Sequence, residues 1–296
     1  MKNRLTETKF KSALAVAGQL FVSVTCLGAV ILICASVSAQ NLFVSAQDSG
    51  GGKILKFTWD GVRSTFASGL SAPYGLTFDS TGNLFVADRG GRILKFTPDG
   101  VQSTFASGLV FPIDLAFDSR GNLFVADYGA SYGSGNIYKF TPDGMRTTFA
   151  SLNNPEGLAF DVAGNLFVGE AGTGYIYKFT PNAVRSTFAS GFVGEIDLTC
   201  DLAGNLFVSG SVGGNGINVW KITPQGVRTL FASKMFAPGS LDFDSAGNLF
   251  VVDLGLTEAP SAIYEFNRHG GHRKIFAAGE PPDDPSLEFN YLAFQP

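Results

Sequence analysis

Two aspartates occupy a position of a repeated segment at which sister copies carry glycine. Asp114 and Asp197 align with Gly75 and Gly157, and Glu156 lies between the two aspartates in the sequence. Carboxylate oxygens are ligands that Ca²⁺, Mg²⁺ and Mn²⁺ prefer in proteins. A charge near the axis of a closed structure otherwise costs free energy unless it is paired or solvated. These residue types therefore predict a divalent-cation site, and the alternative is a wet channel with hydrated acids.

The segment that carries these acids occurs six times, with a period of about 42 residues. Its best preserved piece reads Gly-Asn-Leu-Phe-Val, and a first, variant copy opens at Gln40. The later copies begin at Gly82, Gly121, Gly164, Gly204 and Gly247. Such a period without a helical pattern inside it indicates a stacked β-architecture in which each unit packs on its neighbours.

Each copy contains four short strand patterns separated by turn residues. In one copy they cover 75–79, 83–88, 93–97 and 101–106, and each is rich in β-branched and aromatic residues. We name the four strands a, b, c and d in chain order. Gly and Pro residues mark the a–b and c–d turns. Four antiparallel strands per copy are typical of a propeller blade, so the sequence predicts an all-β, six-bladed β-propeller.

The two ends of the repeat region carry complementary parts of one blade. The region starts with a strand-b pattern at 41–44 and ends with a strand-a pattern at 291–294. The C-terminal inner strand is therefore predicted to join the N-terminal blade and close the ring, which removes exposed sheet edges. The d–a and b–c loops then share one face, which we call the variable-loop face. The a–b and c–d turns share the other, the turn face. Variable loops on a rigid scaffold are where binding usually resides.

The first 39 residues differ from the repeats. Four basic residues precede an apolar stretch at 13–37, and Val-Ser-Ala stands before Gln40. This order is typical of a secretory signal, although the stretch is also long enough for a membrane anchor. We expect 1–39 to be a signal peptide or an uncleaved N-terminal anchor, and 40–296 to be the propeller. The protein is then secreted, periplasmic or at the cell surface, with membrane contact only if the segment stays uncleaved.

Charge and rare residues exclude several function classes. The formal net charge is −4, and removing the first 39 residues, with four basic and one acidic side chain, leaves −7 for 40–296. Phosphate backbones are bound through clustered Lys and Arg, so nucleic acid is not an expected partner. His269 and His272 are the only histidines and share one c–d turn, which argues against serine hydrolases and against streptogramin lyases. Cys200 is the only cysteine of 40–296, so no disulfide forms within the propeller.

The pattern from Pro73 to Phe96 resembles the NHL repeat, and the whole of 40–296 resembles the senescence marker protein and gluconolactonase family of six-bladed propellers. The resemblance implies one divalent cation at the channel mouth, held by a Glu, an Asn and an Asp. At the position just before strand a, Glu156 and Asn290 match by residue type, but no copy carries Asp there. The candidate metal ligands are therefore Glu156, Asp114, Asp197 and Asn290.

Two principal functions follow from these observations. The leading hypothesis is an extracytoplasmic binding or scaffold module that uses the variable-loop face and the acidic channel mouth to bind a small molecule, a glycan or a protein, acting as a monomer. The alternative is a metal-dependent lactonase-like hydrolase of the gluconolactonase type, with one Ca²⁺, Mg²⁺ or Mn²⁺. A third hypothesis is recent duplication of near-identical blades with little specialised chemistry. Whether the protein is an enzyme stays open at this point.

Overall fold

A computed structural model describes residues 19–26, 29–36, 40–214, 216–255, 261–268, 273–278 and 287–296. The chain divides into two compact units, Met1–Ala39 and Gln40–Pro296. In the first unit, β1 (Gln19–Cys26) pairs with β2 (Ala29–Ser36) in an antiparallel sheet. The rest of the expected signal or anchor, at 1–18, 27–28 and 37–39, lies outside the described residues, as do both histidines.

No helix within the described ranges is long and apolar enough to cross a membrane. The described part of the second unit consists of strands and their connections. The strands are β3 Leu42–Asp48, β4 Gly51–Phe57, β5 Arg63–Leu70, β6 Pro73–Phe78, β7 Leu84–Asp88, β8 Arg92–Phe96, β9 Gln102–Ser107, β10 Pro112–Phe117, β11 Leu123–Asp127, β12 Gly135–Phe140, β13 Arg146–Leu152, β14 Pro155–Phe160, β15 Leu166–Glu170, β16 Tyr175–Phe179, β17 Arg185–Ala189, β18 Phe192–Cys200, β19 Leu206–Val212, β20 Ile217–Ile222, β21 Arg228–Ala232, β22 Pro238–Phe243, β23 Leu249–Asp253, β24 Ala262–Phe266, β25 Arg273–Ala278 and β26 Glu288–Phe294.

These strands form six four-stranded antiparallel sheets. Five sheets take four consecutive strands each, from β6–β9 to β22–β25, and the sixth has the order β26-β3-β4-β5. The innermost strands β6, β10, β14, β18, β22 and β26 contact one another in that order, and β26 returns to β6. The prediction of an all-β, six-bladed propeller closed by its C-terminal strand is therefore confirmed.

Ring closure depends on a polar contact that replaces a covalent turn. In the ordinary a–b turn, the Asp79 carboxylate accepts hydrogen bonds from the backbone of Thr81 (3.0 Å) and Asn83 (2.9 Å). At the junction of the chain ends, Gln295 takes the place of this aspartate. Its backbone N–H donates to Asn41 O (3.0 Å), and the Asn41 side chain donates to Gln295 Oε1 (3.1 Å). The two ends therefore pair as though a turn joined them.

Phenylalanines at equivalent strand positions fill the core between blades. Phe43 of the first blade meets Phe66 edge-on at 5.0 Å between ring centroids, and it meets Phe78 of the next blade at 5.1 Å. The same triad recurs at Phe85, Phe105 and Phe117, at Phe124, Phe149 and Phe160, at Phe207, Phe231 and Phe243, and at Phe250, Phe276 and Phe294. Each edge-on pair adds about 0.5–1.5 kcal/mol beyond its burial, which explains why Phe recurs without any ligand.

Each inner strand carries a bulge near its start. Against its neighbour β7, β6 loses register between Pro73 and Leu76, and β14 does the same against β15 between Pro155 and Leu158. A bulge takes residues out of the regular ladder, bends the strand and re-aims side chains. Glu156 falls inside the irregular stretch of β14, whereas Asp114 and Asp197 directly follow those of β10 and β18 and pair with Ala126 and Ser209.

Candidate functional site

A cavity of about 420 Å³ lies between the six inner strands. Its wall begins at the level of Asp114 and Asp197 and extends toward the turn face, where it reaches Ser80 and Pro296. Four aspartates line it, namely Asp79, Asp114, Asp197 and Asp242. Among the described residues, no Lys, Arg or His contributes to this wall. The centre of the ring is therefore an acidic cavity, and among its four aspartates only Asp79 pairs with a described basic residue, Lys95 at 4.0 Å.

Asp114 and Asp197 each join two neighbouring blades. Asp114 Oδ2 accepts the backbone N–H of Leu158 at 2.7 Å, and Asp197 Oδ2 accepts that of Leu241 at 3.0 Å. Inner strands have an edge whose N–H groups the sheet leaves unpaired, and buried N–H groups need acceptors. The hydroxyl of Ser240 acts in the same way at the junction of β22 with β26, where it accepts the Leu292 N–H at 3.2 Å. These side chains therefore stabilise the ring as well as line the cavity.

The glycines of the sister copies provide the space that these aspartates need. A Cβ added at Gly75 would lie 2.7 Å from both Cα and Oδ1 of Asp114. At Gly157 it would lie 2.6 Å from Ile196 O and 2.8 Å from Asp197 Cα. All four distances are too short for two non-bonded atoms. Glycine and aspartate thus alternate between neighbouring blades because each aspartate occupies the room beside a glycine.

Burial sets the protonation of the two aspartates. Burial, followed by the negative charge of Asp197, raises the pKa of Asp114 well above its usual range, against hydrogen bonds from the Leu158 and Leu115 backbone. Burial likewise raises the pKa of Asp197 to about 7, against hydrogen bonds from the Leu241 and Leu198 backbone. Desolvation disfavours the ionised form of a carboxyl group. The pair therefore retains a proton at neutral pH.

Asp242 is a cavity residue that reasoning from the sequence missed. Burial raises its pKa to about 6. Its Oδ1 accepts the Phe243 N–H at 2.8 Å and the Thr199 hydroxyl at 3.4 Å, and its Oδ2 accepts the Phe294 N–H of the next blade at 3.4 Å. A signal for it existed in the repeats. Sister copies carry small uncharged residues at this position, namely Thr77, Ala116, Ala159, Thr199 and Ala293.

The other two predicted ligands lie away from this wall. Glu156 is buried, and its Oε2 accepts the Ile196 N–H at 2.9 Å. Asn290 is half-buried on β26. Neither belongs to the lining of the cavity, whereas Asp114 and Asp197 do.

Only two of the four predicted metal ligands line the same cavity. Asp114 and Asp197 offer two carboxylates to one cavity, and each already accepts backbone hydrogen bonds. Within the ranges that the structure describes, no group of three or more His, Cys, Asp or Glu side chains is arranged to hold a metal ion. A site made of Glu156, Asp114, Asp197 and Asn290 stays a prediction.

Searches of known proteins give similarities in three dimensions only. No protein-family profile matches the sequence, and no curated protein matches it. Among solved structures, a gluconolactonase from Xanthomonas campestris superposes with a TM-score of 0.59 at 20% identity, covering 80% of this chain and 95% of that one. Virginiamycin B lyase from Staphylococcus aureus gives 0.56 at 17% identity, covering 71% of each chain.

TolB from Acinetobacter baumannii superposes with a TM-score of 0.69 at 12% identity, covering 87% of this chain and 67% of that one. At such identities the likeness shows a shared fold and leaves activity open, because one propeller scaffold carries many functions. The chain shares its propeller fold with gluconolactonase, as the resemblance of its repeats implies, and also with virginiamycin B lyase.

Proposed function

We propose that this protein is an extracytoplasmic, monomeric binding protein that takes a small ligand, positively charged or rich in hydroxyl groups, into the central cavity. The observation that carries the proposal is the wall of that cavity, which holds four aspartates and no basic residue among those described. Its volume of about 420 Å³ suits a small molecule better than a glycan chain or a protein segment. Export is expected from the charged and apolar N-terminal segment.

Protonation of the wall supports this ligand class. Asp197 and Asp242 have pKa values raised to about 7 and about 6, so both change charge near neutral pH. A bound cation favours the ionised carboxylates and releases protons on binding. Ligand hydroxyl groups can donate to an ionised carboxylate and accept from a protonated one. The cavity is thus equipped for either kind of ligand, and proton release distinguishes them.

Calorimetric titration of the metal-stripped full chain tests the proposal. The panel consists of Ca²⁺, Mg²⁺, Mn²⁺, spermidine and sorbitol. We expect at least one of them to bind, and Asp114→Asn and Asp197→Asn to weaken that binding by roughly tenfold or more, since each removes a carboxyl group that a bound cation would ionise or a ligand hydroxyl group would contact. Asp99→Asn, which changes an exposed aspartate of a c–d turn, is the matched control. Equal binding by all three variants would contradict the proposal, as would no binding by any compound.

A second candidate is a metal-dependent lactonase-like hydrolase. It is favoured by the fold shared with a gluconolactonase and by the two carboxylates, Asp114 and Asp197, that face one cavity. The test is hydrolysis of aldonolactones by metal-stripped protein before and after addition of each divalent cation. Cation-dependent hydrolysis that is lost in Asp114→Asn, Asp197→Asn and Glu156→Gln would support the hydrolase. Cation binding without hydrolysis would support the binding protein instead.

A further inference from the structure

Arg89 lies on the variable-loop face, in the turn between β7 and β8. Its backbone N–H donates to Ala72 O at 3.0 Å, which holds the turn against the start of the inner strand. The guanidinium Cζ lies 4.7 Å from the ring centroid of Tyr74 and 4.6 Å from that of Phe111. Nη1 also donates to the Tyr74 hydroxyl at 2.7 Å. Two rings and one hydrogen bond therefore hold this cation in place.

The backbone of Phe111 and the ring of Tyr74 are themselves held in place. The Phe111 N–H donates to Asp127 Oδ1 at 2.6 Å, and Phe111 O accepts the Tyr128 N–H at 2.9 Å. The ring of Tyr74 packs against that of Tyr291, with 5.7 Å between centroids. The guanidinium is therefore preorganised before any ligand arrives, which lowers the entropy cost of binding.

Arg89 also carries the one hydrogen-bonding anomaly of the described chain. Among the residues that the structure describes, its Nε is the single buried side-chain nitrogen or oxygen without a hydrogen-bond partner. A buried donor without a hydrogen bond costs free energy, and a charged donor costs more. A buried group of this kind therefore needs an explanation outside the packing of the fold.

The charge of Arg89 is likewise uncompensated by the described residues. The nearest acid in sequence, Asp88, is paired with Arg92 and accepts the Ala72 N–H at 3.0 Å. No described carboxylate forms an ion pair with Arg89. A half-buried arginine usually pairs with a carboxylate, because the guanidinium has no acceptor of its own. The fold therefore leaves a fixed positive charge at this point.

The donors that remain define the chemistry of the missing partner. Nη1 is bonded to Tyr74, so Nε and Nη2 remain as far as the described residues go, and these two nitrogens form one edge of the planar guanidinium. That edge matches the two oxygens of a carboxylate in a bidentate contact. A carboxylate is planar and can lie in the plane of the guanidinium beside the flanking rings. A tetrahedral phosphate or sulfate places oxygens out of that plane, toward the rings.

We propose that Arg89, held by Tyr74 and Phe111, is a binding site for the carboxylate of a small organic acid. The exposed side chain of Phe111 covers one side of the guanidinium and must move slightly for both oxygens to reach Nε and Nη2. This site is separate from the acidic central cavity and does not depend on the function proposed for that cavity.

The test observes Nε itself in the folded full chain. Arginine Nε–H resonances of ¹⁵N-labelled protein are followed by NMR, and Arg89→Lys assigns the resonance of interest. Titration with succinate is expected to shift the Arg89 resonance saturably, because a charged acceptor now bonds to it. Succinamide, which has a similar size and no charge, is expected to leave it unshifted. An equal response to both compounds, or to neither, would overturn the proposal.

Variants test whether the carboxylate binds through the two nitrogens Nε and Nη2 of Arg89. Arg89→Lys keeps the charge and loses the bidentate edge, so we expect succinate to bind roughly tenfold or more weakly. Arg92→Lys is the matched control, since it alters a neighbouring arginine. This variant is expected to bind succinate with the same affinity as the unchanged protein. Inorganic phosphate and sulfate distinguish the kind of anion. If they shift the Arg89 resonance and succinate does not, the carboxylate assignment is wrong.

Discussion

Replacement of Asp197 by asparagine is expected to change how stability depends on pH. The folded protein raises the pKa of this carboxyl from 3.8 to about 7, chiefly by burial. The folded state therefore binds the proton more tightly than the unfolded state between these two values. As pH rises through that interval, the free energy of unfolding falls by about 1.4 kcal/mol per unit of the shift, which is about 4 kcal/mol in total. The contribution is greatest in acid and is lost above about pH 7.

Asparagine removes this titration and keeps an oxygen that can accept the Leu241 N–H. The free energy of unfolding of Asp197→Asn, relative to that of the unchanged protein, is therefore expected to rise by about 4 kcal/mol between about pH 4 and about pH 8. Urea unfolding at unit pH intervals, followed by circular dichroism, measures the difference. Removing the negative charge of Asp197 also lowers the pKa of Asp114, which changes the difference between the two proteins in the same direction.

The matched control is Asp99→Asn on an exposed c–d turn. A hydrogen bond from the Thr97 hydroxyl holds the pKa of Asp99 below its usual value, so it is already ionised above about pH 5. Its replacement is expected to leave the slope near neutral pH unchanged. If Asp197→Asn has the same pH profile as the unchanged protein, the carboxyl does not titrate near pH 7 and the reasoning from burial fails.

Three further predictions concern packing, reactivity and ring closure. Gly157→Ala is expected to destabilise the fold by about 1–3 kcal/mol, since its Cβ would overlap backbone atoms, whereas Gly239→Ala meets only ordinary contacts and should melt almost normally. Burial raises the pKa of Cys200 to about 12. In a variant whose other two cysteines are replaced by serine, the Cys200 thiol should therefore react with disulfide reagents about a thousandfold more slowly in the folded state than after unfolding. Deletion of 288–296 removes the strand that completes the first blade, and calorimetry should then show loss of the single cooperative transition, while a transition like that of the full chain would contradict ring closure.

Much of the fold could be predicted from local patterns. Strand alternation and turn residues such as Gly82 act over a few residues, so they are readable along the chain. Counting strand patterns at the two ends predicted that 291–294 completes the first blade, and the pairing of β26 with β3 confirms it. Each of these features depends on local chemistry repeated six times.

The candidate site was only partly predictable. Comparing the copies identified Asp114 and Asp197, because a charged residue in place of glycine stands out in a repeat. Asp242 could have been identified by the same comparison of the copies, whereas its contacts with Thr199 and Phe294 of two other blades are visible only in the structure. Glu156 was grouped with the aspartates by residue type, although its carboxylate bonds to Ile196 N–H outside the cavity wall.

The amino-acid sequence by itself determined that this chain repeats a four-stranded unit six times and that its ends complete one blade, because periodicity, turns and strand patterns are local properties. Only the tertiary structure decided which acids share a cavity and which described arginine has a buried nitrogen without a hydrogen-bond partner. Those facts depend on the bulges that re-aim inner-strand residues and on contacts between blades about 40 residues apart or more, such as that of Asp114 with Leu158. Burial then set the protonation of the cavity, since desolvation depends on what surrounds a carboxyl group in space.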